Sequence, residues 1–489
     1  MRSPRFGPAI VVAAFILGGV LWHSTFPFLL GVDGFYHLAQ TRLMLEEGLG
    51  AAMPWMKFSV FDDGWVDHHL GYHVALLPFV AWPGGILGGK LAAGVFAGGA
   101  VAAMFLALRA LRAPYPALLA LIPVAASWGF VFRLGTVRAV ALSTILLCAA
   151  LVFAVRGRDR ALFATSAAYA FSYHLSVLVL PIALGAWLAR RLLGGDDGPT
   201  WRTPVAAAAG FAAGLTVHPH FPRTWRFFLH HVVIGTAASA EAEASGEGAT
   251  GHGTEWVAAT AGDLWMQGFV WVAVVAVVGA VLLVRSRRRP PWDTLLVVAG
   301  AGVAVALSVL SVRFVELSMP LLTLAAGLLL RDALPDGKLP RPMVAGVAVI
   351  ALLGSAATLQ RATRNGDLDP HRFELAGQFL REHVPPGEFV YNLRWGDWPE
   401  LVFHAPEYVY VFGLDSSFLA DKYPEKYRHH RAIRTGQYGN VGDAVKHEFG
   451  ARWLITGLPE PGVVPFLDRD TGLERALVTP DFAIYRVRD

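Results

Sequence analysis

The sequence predicts a polytopic α-helical membrane protein of about eleven spans with a C-terminal extracytoplasmic α/β domain, and three observations carry that prediction. The 489 residues are 55% hydrophobic, with a mean hydropathy of +0.47. Only 16% are charged, against roughly 25% in soluble domains. Apolar runs approaching the roughly 20 residues that cross ~30 Å of hydrocarbon recur from Pro8 to Leu359 and then stop. Lys and Arg number 41 against 37 Asp and Glu, a net charge of +4, and no basic patch of the nucleic-acid-binding kind is visible. The single cysteine, Cys148, lies in an apolar run, which excludes an intramolecular disulfide and any cysteine-based metal or redox pair.

Arg2 and Arg5 precede the first apolar run, Pro8 to Leu30. That run is too long for a signal-peptide core and lacks an Ala-x-Ala cleavage pattern, so it reads as an uncleaved span. Cytoplasmic loops are enriched in Lys and Arg, and this rule orders the rest. Residues 71–111 allow one span or two. Placing Arg109 and Arg112, Arg156 to Arg160, Arg190 to Arg202, Arg285 to Arg289, and Arg331 to Arg341 on the N-terminal side requires one, near Leu87–Leu108, after a short interfacial helix near Val74–Trp82. Spans follow near 115–132 and 138–155, then two between Ala161 and Arg190 that turn at Tyr173 and His174. Further spans near 204–217, 264–284, 292–312, 318–330 and 343–359 complete the set. The N-terminus is then cytoplasmic, the membrane the plasma (inner) membrane, and residues 31–73 and 218–263 are outer loops. The second of these is rich in Gly, Ala, Ser and Glu, a composition that favours mobility.

Residues 1–359 form the transmembrane domain and 360–489 the soluble outer one. In the latter, helices are expected over Phe373–His383 and Val441–Phe449, and strands over Phe389–Leu393, Tyr408–Phe412, Trp453–Thr456 and Phe482–Val487. No repeat of 20 to 50 residues appears, and the pattern is not that of an inverted-repeat transporter.

Sorted by face, the polar residues are asymmetric. Asp33, Tyr36, His37, Asp67, His68, His73, Arg133, Arg138, His174, Glu255 and Arg313 all fall at the outer side, whereas inner loops carry mainly topogenic arginines with a few acids such as Asp196 and Asp197. The work of the protein is therefore expected at its outer surface. Asp67-His68-His69-x-x-Tyr72-His73 holds an acid and histidines at a spacing that a divalent cation accepts. Interfacial histidines and aromatics are ordinary at a bilayer boundary, and we favour that reading over a zinc site, keeping Asp67 and His68 as wall residues of a cleft.

Asp33-Gly34-Phe35-Tyr36-His37, directly after the first span, resembles the first outer-loop motif of the GT-C superfamily, integral-membrane glycosyltransferases that use polyprenyl-phosphate or polyprenyl-diphosphate sugars. Its form is closest to the catalytic subunits of oligosaccharyltransferases. The resemblance implies a GT-C-like fold, a polyprenyl-linked sugar donor, surrounding membrane lipids, and an acid beside acceptor and metal. Displacing phosphate from an anomeric carbon needs a carboxylate to orient or activate the nucleophile and cations to hold the departing phosphate. Asp33 takes the first role, with Tyr36 and His37 as substrate-binding neighbours. The ordinary alternative is that Asp33 caps the helix Phe35–Glu47.

Family members carry a second acidic motif after the third span, where this chain has Phe132-Arg133-Leu134-Gly135-Thr136-Val137-Arg138. A Mg2+ or Mn2+ ion would then rest on Asp33, while Arg133 and Arg138 offer guanidinium forks to a lipid phosphate or snorkel at the interface. Arg313 is the firmest phosphate contact, since a basic residue at the outer end of a span is costly unless paired. His174 lies at an outer turn. Glu255, in Gly253-Thr254-Glu255-Trp256, is placed like the functional loop glutamate of oligosaccharyltransferases. Trp395-Gly396-Asp397-Trp398 is similar to their Trp-Trp-Asp acceptor-reading motif with the second tryptophan displaced, or simply packs the outer domain. The reading is an inverting glycosyltransferase with the outer domain as acceptor lid, serving a protein, lipid or glycan acceptor. The alternative is a non-catalytic polyprenyl-lipid transporter or assembly protein, which the missing second acidic motif favours.

Overall fold

The structure is a computed structural model that describes residues 7–194, 197–230, 268–285, 289–334, 339–364 and 369–488, with single positions between 259 and 287. The first helix, α1 (Pro8–Ser24), is followed by α2 (Asp33–Glu47), the short apolar α3 (Leu70–Ala81) and the long α4 (Gly85–Ala110). Residues 71–111 thus hold a short helix and then one long one, as the basic residues require. α1 lies against α4 through glycines. A Cβ on Gly19 would sit 2.2 Å from the Gly94 carbonyl oxygen, and one on Gly98 would sit 2.3 Å from that of Phe15. Small residues let apolar helices approach until their backbones touch, which drives packing in lipid.

The sequence predicts a straight span over 115–132; the structure instead has α5 (Pro116–Ala126) and α6 (Trp128–Gly135), bent by 97°. Pro123 weakens the last turn of α5, and Ser127 leaves the helix to cap the next one, its Oγ accepting the Phe130 N–H at 3.2 Å. The chain continues through α7 (Val140–Val155), α8 (Asp159–Ser172), a 3-10 turn at His174–Leu178, α9 (Val179–Leu193), α10 (Arg202–Thr216) and the short α11 (Arg223–Phe227). Beyond these come α12 (Phe269–Arg285), α13 (Trp292–Leu310), α14 (Val315–Ala333) and α15 (Arg341–Arg364).

Among the described residues, five helices are long and apolar enough to cross a membrane, or six spans if the bent pair counts as one; Pro8–Ser24, Leu70–Ala81, Val140–Val155 and Ala276–Arg285 are apolar but shorter. This is a multi-pass membrane protein. Val312–Ala333 is its spine, with 83% of its most apolar stretch buried, against 11% for the peripheral Arg341–Arg364.

After α16 (Glu374–His383) comes a five-stranded sheet of order β2-β1-β3-β5-β4, formed by β1 (Phe389–Asn392), β2 (Val409–Tyr410), β3 (Trp453–Gly457), β4 (Leu473–Val478) and β5 (Phe482–Val487). β2, β1 and β3 run parallel, whereas β5 and β4 join antiparallel. The helices α17 (Trp398–His404), α18 (Ser417–Lys422), α19 (Pro424–Arg434), α20 (Val441–His447) and α21 (Val463–Asp468) complete it. Four strands and two helices lie where their sequence pattern puts them. β4 does not announce itself, because Leu-Glu-Arg-Ala-Leu-Val at a sheet edge is mostly solvent-facing.

The loop after α2 continues this sheet. Tyr410 N–H donates to Trp55 O at 3.0 Å, Lys57 N–H to Tyr410 O at 2.8 Å and Phe58 N–H to Val411 O at 3.0 Å, covering the β2 edge. Trp55 Nε1 donates to Pro406 O at 2.9 Å and Trp398 Nε1 to Trp55 O at 3.3 Å. Tyr36, Trp55, Phe61 and Trp65 share one core with Trp398, Leu401 and Tyr410.

Candidate active site

α2 begins where Gly31 turns with φ +74° and Gly34 lies against the Thr136–Arg138 turn, a Cβ there falling 3.1 Å from Val137 Cβ. That close approach brings two candidates together: Arg138 Nε lies 3.1 Å from Asp33 Oδ2, and both side chains are partly exposed, at 24% and 30%. Asp33 is the first residue of α2, inside the helix, and the N-cap position belongs to Val32. The capping role is therefore not the one it plays, although its charge still suits the helix N-terminus.

A second group gathers at Tyr173. Arg133, in the last turn of α6, reaches Glu316 of α14 with Nε at 3.0 Å and Nη2 at 2.7 Å, and the Tyr173 hydroxyl donates to the other Glu316 oxygen at 3.1 Å. Arg313 donates through Nη2 to His174 Nε2 at 3.4 Å and to the Tyr173 hydroxyl at 3.5 Å. Arg133, Arg138 and Arg313 all exert their charge on that hydroxyl. Arg133, through Glu316, and Arg313, far along the chain, thus meet at Tyr173, and His69 stacks on the Tyr173 ring at 5.6 Å.

Behind Asp33, the His37 and His73 rings are joined by a 2.8 Å contact from Nδ1 to Nε2, and His73 Nδ1 meets Asp67 Oδ2 at 2.6 Å. Tyr36 packs on Trp398 with ring centroids 5.4 Å apart. His68 rests between His69 at 4.0 Å and Phe227 at 5.1 Å.

Trp395 and Asp397 take their contacts inside the sheet domain. Asp397 Oδ2 accepts the Gly457 N–H at 2.7 Å and Oδ1 faces Arg372 at 3.3 Å; burial raises its pKa against the opposing pull of Arg394 and Arg372. Trp395 packs beside the core around Tyr391 and Leu454. The tryptophan that reaches α2 is Trp398. Glu255 lies outside the described residues. Glu316 and the Tyr173 hydroxyl escaped the sequence-derived site; an acid within an apolar run, as at Glu316, is the signal that could have found the first.

These residues do not fit a divalent cation. The charged group at Asp33 is a guanidinium, and among the described residues no three carboxylates, histidines or cysteines are placed to hold a metal. His73 has both ring nitrogens committed.

A helical membrane bundle, an acid on a helix directly after the first span, and a small sheet domain docked on that helix together make a GT-C-like fold. Solved structures of that fold resemble the chain over nearly its whole length. ArnT from Cupriavidus metallidurans, bound to undecaprenyl phosphate, is 14% identical with a TM-score of 0.58, over 98% of this chain and 97% of that one. The oligosaccharyltransferase of Archaeoglobus fulgidus tethered to an acceptor peptide with an NVT sequon is 10% identical with a TM-score of 0.57, over 93% of this chain and 69% of that one. Its apo form is 12% identical with a TM-score of 0.56, over 93% and 70%. No protein-family model matches the sequence, and no curated protein matches it. At such identities the likeness is one of fold.

Proposed function

We propose that the protein is an inverting membrane glycosyltransferase that moves a sugar from a polyprenyl-(di)phosphate donor to a protein, lipid or glycan acceptor at the outer face of the membrane. In this reading the chain crosses eleven times, its shorter apolar helices included, and residues 360–489 lie outside. The observation that carries it is the partly exposed Asp33–Arg138 pair, whose arginine acts with Arg313 on the Tyr173 hydroxyl. Asp33 orients the nucleophile, and guanidinium groups from Arg138 and Arg313 take up charge as phosphate departs. Arg133 is paired with Glu316, whose other oxygen positions the Tyr173 hydroxyl. The undecaprenyl phosphate bound by ArnT supports a polyprenyl-linked donor here.

The test is turnover of radiolabelled polyprenyl-linked sugars by full-length protein in proteoliposomes. Asp33→Asn is expected to lower turnover by roughly 10²-fold or more, with donor binding retained. Undiminished turnover by that variant removes the mechanism. Absence of turnover in the wild-type protein, with lipid binding intact, selects the alternative of a polyprenyl-lipid-binding protein.

A further inference from the structure

The Asp67, His73 and His37 side chains form a row buried to 1%, 0% and 3% exposure. Asp67 is fixed at the far end: its Oδ1 accepts the His69 N–H at 3.0 Å, and its backbone oxygen pairs with His218 Nε2 at 2.9 Å. Burial works against its charge, but His73, by charge and hydrogen bond, with His68 and the His69 N–H, holds the carboxyl below its usual range.

The tautomers then follow from the bonding pattern. An ionised Asp67 only accepts, so His73 donates from Nδ1 and its Nε2 carries a lone pair. His37 must in turn donate from Nδ1, which leaves the lone pair on His37 Nε2. Burial, with His73, Arg138 and His68 nearby, keeps His37 well below the usual imidazole range and so neutral at rest. His37 lies four residues after Asp33 on α2, on the same helix face, with Cβ atoms about 6 Å apart, a gap that one hydroxyl or one water bridges. The Tyr36 and Tyr72 hydroxyls, whose rings lie 5.0 and 5.2 Å from that of His37, are buried without a hydrogen-bond partner, an arrangement that invites an oxygen atom.

We propose that Asp67, His73 and His37 are a proton-accepting chain, with His37 Nε2 the base that takes the proton of the nucleophile oriented by Asp33. This rests on the glycosyltransferase reading above. The acceptor oxygen bonds to the anomeric carbon as its proton passes to His37 Nε2. The carbon–oxygen bond to phosphate breaks, and its electron pair leaves on the phosphate oxygen. The His37 Nδ1 proton is then shared with His73 Nε2, and the net charge of the row goes from −1 to 0. Burial disfavours an isolated imidazolium at His37, and the ionised Asp67 at the far end of the row offsets the charge that the proton brings. His37 is the catalytic residue, while His73 and Asp67 are positioning residues that fix its tautomer.

The test uses full-length protein in nanodiscs with 15N-labelled histidine. Ring-nitrogen NMR should show wild-type His37 protonated at Nδ1 and bare at Nε2. Protonation at Nε2 overturns the proposal whatever the activity. Asp67→Asn, whose amide can donate to His73 Nδ1, should reverse the chain, move the His37 proton to Nε2, and lower kcat by roughly 10³-fold with KM within about twofold. If Asp33→Asn is inactive but a folded Asp67→Asn keeps its kcat, the relay fails while the glycosyltransferase reading stands. If wild-type protein transfers no sugar, that reading fails first, and the tautomer measurement still judges the chain.

Discussion

The Arg133–Glu316 pair sets a measurable energy at the polar end of the bundle. Arg133 is 8% and Glu316 4% exposed, and the two share a pair of hydrogen bonds to one carboxylate oxygen while Tyr173 takes the other. Replacing Glu316 with Leu removes these three hydrogen bonds and takes a carboxylate away from a buried guanidinium. Breaking one side of a buried pair costs about 3–5 kcal/mol. Arg133→Leu strands the carboxylate and should cost a similar amount. Removing both partners takes away both charges of the pair and leaves only the Tyr173 hydroxyl short of its acceptor, so the double variant should lie within about 2 kcal/mol of wild type, which implies a coupling energy of roughly 4 kcal/mol or more. The measurement is equilibrium unfolding of the full-length protein in mixed micelles of rising SDS fraction, followed by tryptophan fluorescence. If the double variant loses the sum of the single losses, the two side chains are not coupled and the convergence on Tyr173 is incidental.

Three further outcomes follow from the sheet domain and the bundle. Burial, opposed by Arg372 and reinforced by Asp397, raises the Glu400 pKa from 4.5 to about 7. The folded state therefore holds more protons than the unfolded one between those values, and stability should fall as pH rises from about 4.5 to 7, by at most about 3 kcal/mol. Glu400→Gln should flatten that slope in denaturant titrations at pH 5 and pH 8. Trp398→Ala, at a fully buried site between Tyr36 and Gly413, should cost about 3–5 kcal/mol and expose the loop around Trp55 to limited proteolysis; unchanged cleavage would show that this loop holds without it. Gly98→Val should push α1 off α4, because even a Cβ there meets the Phe15 carbonyl at 2.3 Å, and the thermal midpoint should drop by several degrees in detergent.

Much of the architecture was legible because it follows from one-dimensional patterns. The position of Arg109 after a single long apolar run predicts α3 and α4, and alternation in Phe389–Leu393 and Phe482–Val487 gives their strands. The bend after Ala126 was not legible, since an apolar run reads alike whether it goes straight or turns at Ser127. Asp33, Arg138 and Arg313 were singled out by residue type and face. The pairing of Asp33 with Arg138 was not, because it depends on Gly34 lying against Val137, a contact between segments a hundred residues apart. Glu316 hid for a related reason. Sequence showed the costly arginines and suggested phosphate to balance them, whereas the fold balances Arg133 with a carboxylate 183 residues away.

The docking of the sheet domain bears on how acceptors are chosen. A lid would hinge on α15 and lift as one body, yet here the segment from Trp55 to Phe58 is hydrogen-bonded along the β2 edge of the sheet and Tyr36 of α2 lies in the same core as Trp398. Lifting the sheet away from Asp33 would break three backbone hydrogen bonds and draw Trp55 and Trp398 out of their shared packing, well beyond the few kcal/mol available to a gating equilibrium. The domain is therefore a fixed wall whose position relative to α2 is set by the fold. Under the proposed glycosyltransferase reading, acceptor selectivity belongs to the shape of that wall and to the first loop that is built into it, so substitutions at the Trp55–Tyr410 seam should displace Asp33 and His37 together.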